Sequence, residues 1–184
     1  MQVLGGLDRG LYHGEIISQA SDLSWFTTGS LAIDGTTLLQ QNLTIVLDSG
    51  TANIVGPTAQ IRSLFEALGI QAVEQNLPGC TTVLFGYYPC NSPPAIGFQL
   101  GAGNPIFNIE PSAFVQASNG GNNCTATVTG IDIGFPGGLW IVGQSWFQGK
   151  YVDFDADNRS VGVALLRNDT VVGAAMPSPK ATSG

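Results

Sequence analysis

The sequence predicts a mainly β domain with one clear helix and short helical turns. Three observations carry that expectation. Glycine (25) and proline (10) are scattered among Val, Ile, Thr and Phe through 184 residues, the pattern of short strands joined by turns. One segment alone places apolar residues at helical spacing. Charged residues make up 10% of the chain, too few for the charged heptads of a coiled coil or the high net charge of a disordered chain.

The elements follow in order. Tyr12 to Ile17 is rich in strand formers and leads into Ser-, Asp- and Thr-rich turns. Leu31 to Leu38 forms a hairpin, with Asp34-Gly35 supplying the positive φ angles of a tight turn. Leu43 to Leu47 is a short apolar run, expected as a buried strand, and it feeds directly into Asp48-Ser49-Gly50-Thr51 and then Ile54-Val55. Beyond Pro57 the period changes. Ile61, Leu64, Phe65 and Leu68 fall at i, i+3, i+4 and i+7, one apolar stripe of a helix that Gly56-Pro57-Thr58 starts and Gly69 stops. Cys80 to Cys90 reads as a turn-rich aromatic segment. Ile96 to Leu100 and Pro105 to Ile109 make a second hairpin, Pro111 to Phe114 opens a short helical turn, and Asn119 to Asn123 is a polar loop. Leu139 to Val142 is a buried strand ended by Gly143. Tyr151 to Asp155 and Val161 to Leu165 flank the turn Asp157-Asn158. The organisation is one lobe over residues 1–169, followed by a disordered tail rich in Pro, Ser, Thr and Ala over 170–184.

Charge excludes some partners. Six Lys plus Arg stand against thirteen Asp plus Glu, for a net charge of −7. Nucleic-acid binding, which needs clustered cations, is not expected. No apolar run reaches the length of a membrane span, and the N-terminus lacks a signal-peptide layout. The cysteines Cys80, Cys90 and Cys124 allow at most one internal bridge. Sequons at Asn42, Asn123, Asn158 and Asn168 favour a secreted, extracellular glycoprotein, with a vacuole or cell wall as alternatives, where a disulfide persists. The single histidine, His13, is expected on a solvated strand. No Gly-x-Ser-x-Gly elbow accompanies it for a serine triad.

Asp48-Ser49-Gly50 is weak as a tripeptide and equally suits an ordinary Asx-turn. Its setting says more. An acid on a tight turn between two apolar strands is held at a core edge, the glycine permits close backbone approach, and the hydroxyls of Ser49 and Thr51 can fix the loop.

At this point the chain resembles the pepsin-like aspartic peptidases. The stretches that carry the likeness are Ile45-Val46-Leu47-Asp48-Ser49-Gly50-Thr51-Ala52-Asn53-Ile54-Val55-Gly56-Pro57 and Leu139-Trp140-Ile141-Val142-Gly143. Gly5-Gly6-Leu7-Asp8 with Tyr12-His13-Gly14, the helix after Gly56-Pro57, and the closing hairpin Tyr151 to Ala164 are similar to the family's C-terminal lobe. Order and spacing agree from about Gly5 to Leu165.

The resemblance implies one lobe of a bilobal acid-protease fold and aspartic-type endopeptidase chemistry, in which two carboxylates share a proton and activate a water. Asp48 would be one catalytic carboxylate. Ser49, Gly50, Thr51, Ile141, Val142 and Gly143 would support its loop, while Ala52, Ile54, Gln144 and Phe147 would border a cleft for a peptide or protein substrate. Trp140 would pack under the loop, and Trp146 would sit in the turn after Gly143. The resemblance also implies a bridge between Cys90 and Cys124, leaving Cys80 over. It implies no cofactor and no metal. The cysteine that often precedes the aspartate in this lobe is missing from Gln40 to Leu43.

A second carboxylate is not evident. Asp34-Gly35-Thr36 has the wrong order, and Asp132, Asp153, Asp155 and Asp157 lack hydroxyl-glycine neighbours. Tyr87-Tyr88, expected in a loop, carry no mark of the family's flap. The missing acid would come from an N-terminal lobe or a second copy of the chain. The alternative is a non-catalytic half-cleft that binds peptide or protein.

Overall fold

Inward-facing apolar residues on short extended segments build two sheets in the computed structural model, which describes residues 3–22, 24–77 and 82–167. The first elements are β1 (Tyr12–Ala20), β2 (Phe26–Ile33), β3 (Thr37–Leu47), β4 (Ile54–Gly56) and helix α1 (Thr58–Leu68). Then come β5 (Gln71–Asn76), β6 (Thr82–Tyr88), β7 (Ile96–Leu100), β8 (Ile106–Asn108) and a 3-10 turn at Pro111–Ala113. The chain continues through β9 (Val115–Ser118), β10 (Cys124–Ala126), β11 (Val128–Gly130), β12 (Trp140–Val142), the short helix α2 (Gln144–Phe147), β13 (Lys150–Asp155) and β14 (Ser160–Leu166). The large sheet has the order β8-β7-β2-β3-β12-β4-β11-β6-β10-β9, with β5 also paired to β6, and β1-β14-β13 form a separate small sheet. The mainly β expectation holds. Among the described residues no helix is long and apolar enough to cross a membrane.

Local chemistry explains the elements that sequence foresaw. Asp34 and Gly35 take φ of 53° and 71°, the two consecutive positive values that a tight hairpin turn requires. Helix α1 buries Ile61, Leu64 and Phe65. It ends as Gly69 adopts φ 66°, with the Gly69 N–H donating to Glu66 O and the Ile70 N–H to Phe65 O, a paired closure that only a left-handed residue permits. Its start is less local. Pro57 has no side-chain acceptor to offer, and the Asp132 carboxylate accepts the Thr58 N–H at 3.0 Å instead.

Three features differ from the sequence reading. Residues 82–88 form the regular strand β6, so Tyr87 and Tyr88 lie on a strand rather than in a loop. The polar edge strand β5 was not foreseen. Trp140 packs beside β4 and α1 rather than under the aspartate loop. A Cβ on Gly56 would sit 2.9 Å from its ring, its edge meets Phe98 at 5.6 Å, and its Nε1 donates to Gln60 Oε1 at 2.6 Å.

Cys90 and Cys124 are bonded, with Cα atoms 5.0 Å apart. A crosslink between positions 34 residues apart restricts the unfolded chain and contributes about 3–4 kcal/mol. His13 is exposed on β1. Cys80, Asn168 and the tail 170–184 lie outside the described residues.

Lys150 joins the two sheets. It begins β13 in the small sheet, and its ammonium donates to Asn108 O on β8 at 2.6 Å and to Gln148 O at 3.2 Å, 5.3 Å above the Trp146 ring. Burial lowers its pKa to about 8 from 10.5, partly opposed by the charge of Glu110. Below pH 8 folded and unfolded chains both carry this charge, and its desolvation cost is felt in full. Between pH 8 and 10.5 the unfolded chain holds a proton that the folded chain has lost, so this site makes stability rise with pH. Lys150→Met should abolish that rise. In urea titrations the wild type should gain on Lys150→Met across this window, with no such trend below pH 8. Parallel curves would contradict the assignment.

Candidate active site

Strand β3 points Leu43, Ile45 and Leu47 into the core, and the chain leaves the sheet at Asp48. The Asp48 N–H donates to Val142 O at 3.1 Å, which extends the β3–β12 ladder by one bond. The loop then folds onto the carboxylate. Asp48 Oδ1 accepts the Gly50 N–H at 2.8 Å, Oδ2 accepts the Thr51 hydroxyl at 2.6 Å, and the Thr51 N–H donates to Asp48 O at 3.3 Å. The carboxylate is half-buried, while Ser49 and Gly50 are exposed. Both oxygens are therefore oriented by groups within three residues, leaving their remaining lone pairs for another partner.

Strand β12 holds this loop in place. It lies between β3 and β4, parallel to the first (Trp140↔Ile45, Ile141↔Val46, Val142↔Leu47) and antiparallel to the second (Ile141↔Val55, Val142↔Ile54). Two strands consecutive in sequence are thus separated by a third from far downstream, with residues 48–53 bridging over its end. Gly143 is required there. A Cβ would fall 2.2 Å from Thr51 O and 2.3 Å from Asn53 O, closer than any side chain tolerates. Past it, the Gln144 N–H donates to Thr51 O (2.8 Å), the Ser145 N–H to Ala52 O (3.0 Å), and Gln144 Nε2 to Ser49 O (2.7 Å).

The expected cleft residues separate. Ala52 and Gln144 are exposed, although the Gln144 side chain is engaged in bracing the loop. Ile54 is a correction: expected at the cleft, it is fully buried because β4 turns it inward opposite Val142, and its neighbour Val55 takes the outward position. Phe147 is half-buried, its ring directed at Trp146 and at Phe154 of the small sheet (5.9 and 6.3 Å).

The outward face carries a row that includes Ile141, expected as loop support, and four residues that the sequence reading did not name as site residues. Directly paired residues share a face, so Phe26, Val46, Ile141, Val55 and Thr129 form one row across β2, β3, β12, β4 and β11. Phe135, from the glycine-rich segment 131–138, stacks on Phe26 at 5.7 Å. At the other end of the row Val55 and Thr129 enter an open groove of roughly 580 Å³, with Asn53, Val83, Phe85, Ile131 and Ile133 among its walls. Alternation requires that Val46 face away from Ile45 and Leu47 and that Val55 face away from Ile54, but it does not say which member of the β4 pair is inward; pairing with β12 does.

Four of the other aspartates are placed elsewhere in the fold. Asp34 lies in the β2–β3 turn, Asp132 caps α1, and Asp155 accepts from Asn158, whose hydrogen bonds hold it below the usual carboxylate range. Asp153, on β13, is shifted upward by burial and by the charge of Asp155.

The family described as eukaryotic aspartyl protease matches residues 1–166. Among curated proteins the chain is similar to renin of Canis lupus familiaris, at 30% identity over 174 residues, covering 90% of this chain and 41% of that protein. It is similar to cathepsin D of Gallus gallus, at 29% over 176 residues, covering 88% and 41%. An aspartic protease of Phaffia rhodozyma is 28% identical over 166 residues, covering 88% and 40%. The chain spans about two-fifths of the length of these relatives.

The close approach at Gly143 makes a direct prediction. Gly143→Ala should push the loop off β12 and destabilise the fold by about 1–3 kcal/mol, measured by chemical denaturation. Amide exchange at Asp48 and Gln144, whose acceptors lie across this contact, should accelerate more than exchange in α1. Unchanged stability and exchange would mean that the loop is not held this way.

Proposed function

The chain belongs to the eukaryotic aspartyl protease family, and from that premise we propose that it is one lobe of an aspartic endopeptidase, with Asp48 supplying one of two catalytic carboxylates. The observation that carries this reading is the oriented Asp48 carboxylate, fixed by the Gly50 N–H and the Thr51 hydroxyl at the end of a braced strand.

The chemistry follows from pairing this group with a second carboxylate. Two such groups about 3 Å apart cannot both ionise, so the pair holds one proton. The ionised member takes a proton from a bound water as that water attacks the scissile carbonyl, and the protonated member donates to the developing oxyanion. What this chain contributes is position. The Thr51 hydroxyl and Gly50 N–H prevent rotation of the carboxylate, and Gly143, Gln144 and Ser145 prevent drift of the loop that bears it.

The second carboxylate belongs to an N-terminal lobe, with a second copy of the chain as the other source. Residues 1–169 correspond in this reading to the C-terminal lobe. The substrate is a peptide or protein in extended form. The row from Phe26 to Val55 and the groove beyond it favour apolar side chains next to the cleaved bond, since burying them there removes apolar surface from water. The Cys90–Cys124 bond suits an oxidising compartment and hence a secretory destination.

The decisive variant is Asp48→Asn in the complete gene product. It should lower peptide cleavage at acid pH by about 10²–10⁴-fold, and weaken a transition-state-like peptide inhibitor whose alcohol contacts the pair, while binding of a substrate-like peptide without that alcohol and the unfolding midpoint change little. Undiminished cleavage would remove Asp48 from the mechanism. An intact wild-type protein that binds such peptides without cutting them would identify a binding half-cleft instead.

A further inference from the structure

The sequon asparagines among the described residues, Asn42, Asn123 and Asn158, are all exposed, and Asn42 alone of the three sits on a bulge of the large sheet. The β2–β3 ladder slips between Gly29↔Leu43 and Leu31↔Gln40, so Gln41 and Asn42 together oppose Ser30 in a bulge. Asn42 takes φ 57° and is exposed, while Leu43 beside it is buried. Its side-chain amide makes no hydrogen bond among the described residues. Asn158 differs: its Nδ2 donates to Asp155 Oδ2 at 2.6 Å and its N–H to Oδ1 at 2.9 Å. Asn123 precedes the buried, bonded Cys124. An asparagine tolerates a left-handed bulge on its own account, and Thr44 lies on β3 opposite Thr28, a strand position that suits a β-branched residue; together the two complete an Asn-x-Thr triplet on an exposed bulge.

A second observation lies alongside. A shallow groove of roughly 440 Å³ between β3 and α1 is lined by Gln40, Gln41, Leu43, Ala59, Gln60 and Ser63. Gln40 Nε2 donates to Gln60 O at 2.9 Å, but Gln40 Oε1 is buried without a partner among the described residues. The surface flanking Asn42 is therefore amide-rich and roomy. Six residues of extended chain separate Asn42 from Asp48, about 20 Å, so a bulky group at Asn42 leaves the candidate active site open.

We propose that Asn42 carries an N-linked glycan whose first sugar rests beside the groove between β3 and α1. In the transfer, Asn42 Nδ2 bonds to the anomeric carbon of an N-acetylglucosamine as the bond from that carbon to the diphosphate of a polyprenyl-diphosphate oligosaccharide breaks. The amide gives up one proton, and the polyprenyl diphosphate leaves with the bonding electron pair. The proposal rests on the secretory destination inferred above and is independent of any catalytic role for Asp48.

The test expresses the full chain behind a secretion leader in a eukaryotic host. The secreted protein is treated with peptide-N-glycosidase in heavy-oxygen water, and its peptides are analysed by mass spectrometry. Asn42 should appear as labelled aspartate in material whose Cys90–Cys124 bond has formed. Asn42→Gly, which suits the positive φ, and Thr44→Val, which keeps Asn42, should each remove the label while retaining the disulfide and the unfolding midpoint. A secreted, disulfide-bonded chain with unlabelled Asn42 would overturn the proposal, as would label that persists in Thr44→Val.

Discussion

The structure depends on one close approach, the passage of Gly143 beneath the carbonyls of Thr51 and Asn53. There β12 enters between β3 and β4, and the loop joining those strands has to cross over its end. The crossing leaves no room for a side chain. It also fixes the register. With Ile141 opposite both Val46 and Val55, a slip of one residue would turn Val142 outward and carry the core contacts of Leu47 and Ile54 with it. The carboxylate of Asp48 therefore inherits its position from the same register that builds the core.

Other contacts hold the platform on which this crossing rests. Trp140 lies flat against Gly56 and reaches Gln60, joining β12, β4 and α1. Trp146 donates to Phe107 O at 2.8 Å and carries Lys150 over its ring, joining α2 to both sheets. The chain on each side of Gly143 is thus anchored by an aromatic side chain whose N–H is satisfied, a costly group to bury otherwise. Rigid support of this kind is what a catalytic carboxylate needs, since small displacements of a reacting group sharply reduce rate.

Much of this was legible in the chain. Helix α1 showed itself through the spacing of Ile61, Leu64, Phe65 and Leu68 and the stop at Gly69, because its signals are local. The β2–β3 hairpin was marked by Asp34-Gly35 for the same reason. Strands β9, β10 and β11 were not, since three or four residues are too few to show a period and β10 and β11 are buried throughout. Strand β5, Gln-Ala-Val-Glu-Gln-Asn, is a polar edge with little apolar alternation to detect. Asp48 was found from its neighbours, but the direction of Ile54 and Val55 was not, because facing is decided by pairing with β12, whose Val142 lies 88 residues beyond Ile54 in sequence. The remote cap from Asp132 to Thr58 was equally beyond a local reading.

The central claim is that Asp48 forms half of a carboxylate pair. A crystal structure of the complete gene product with a peptide whose scissile bond is replaced by a tetrahedral alcohol tests it most directly. The account predicts the alcohol oxygen within hydrogen-bond distance of both an Asp48 oxygen and a second carboxylate from another lobe or copy, with the peptide side chains against Ile141 and Val55. An alcohol bound elsewhere, with Asp48 contacting only Gly50 and Thr51, would contradict it.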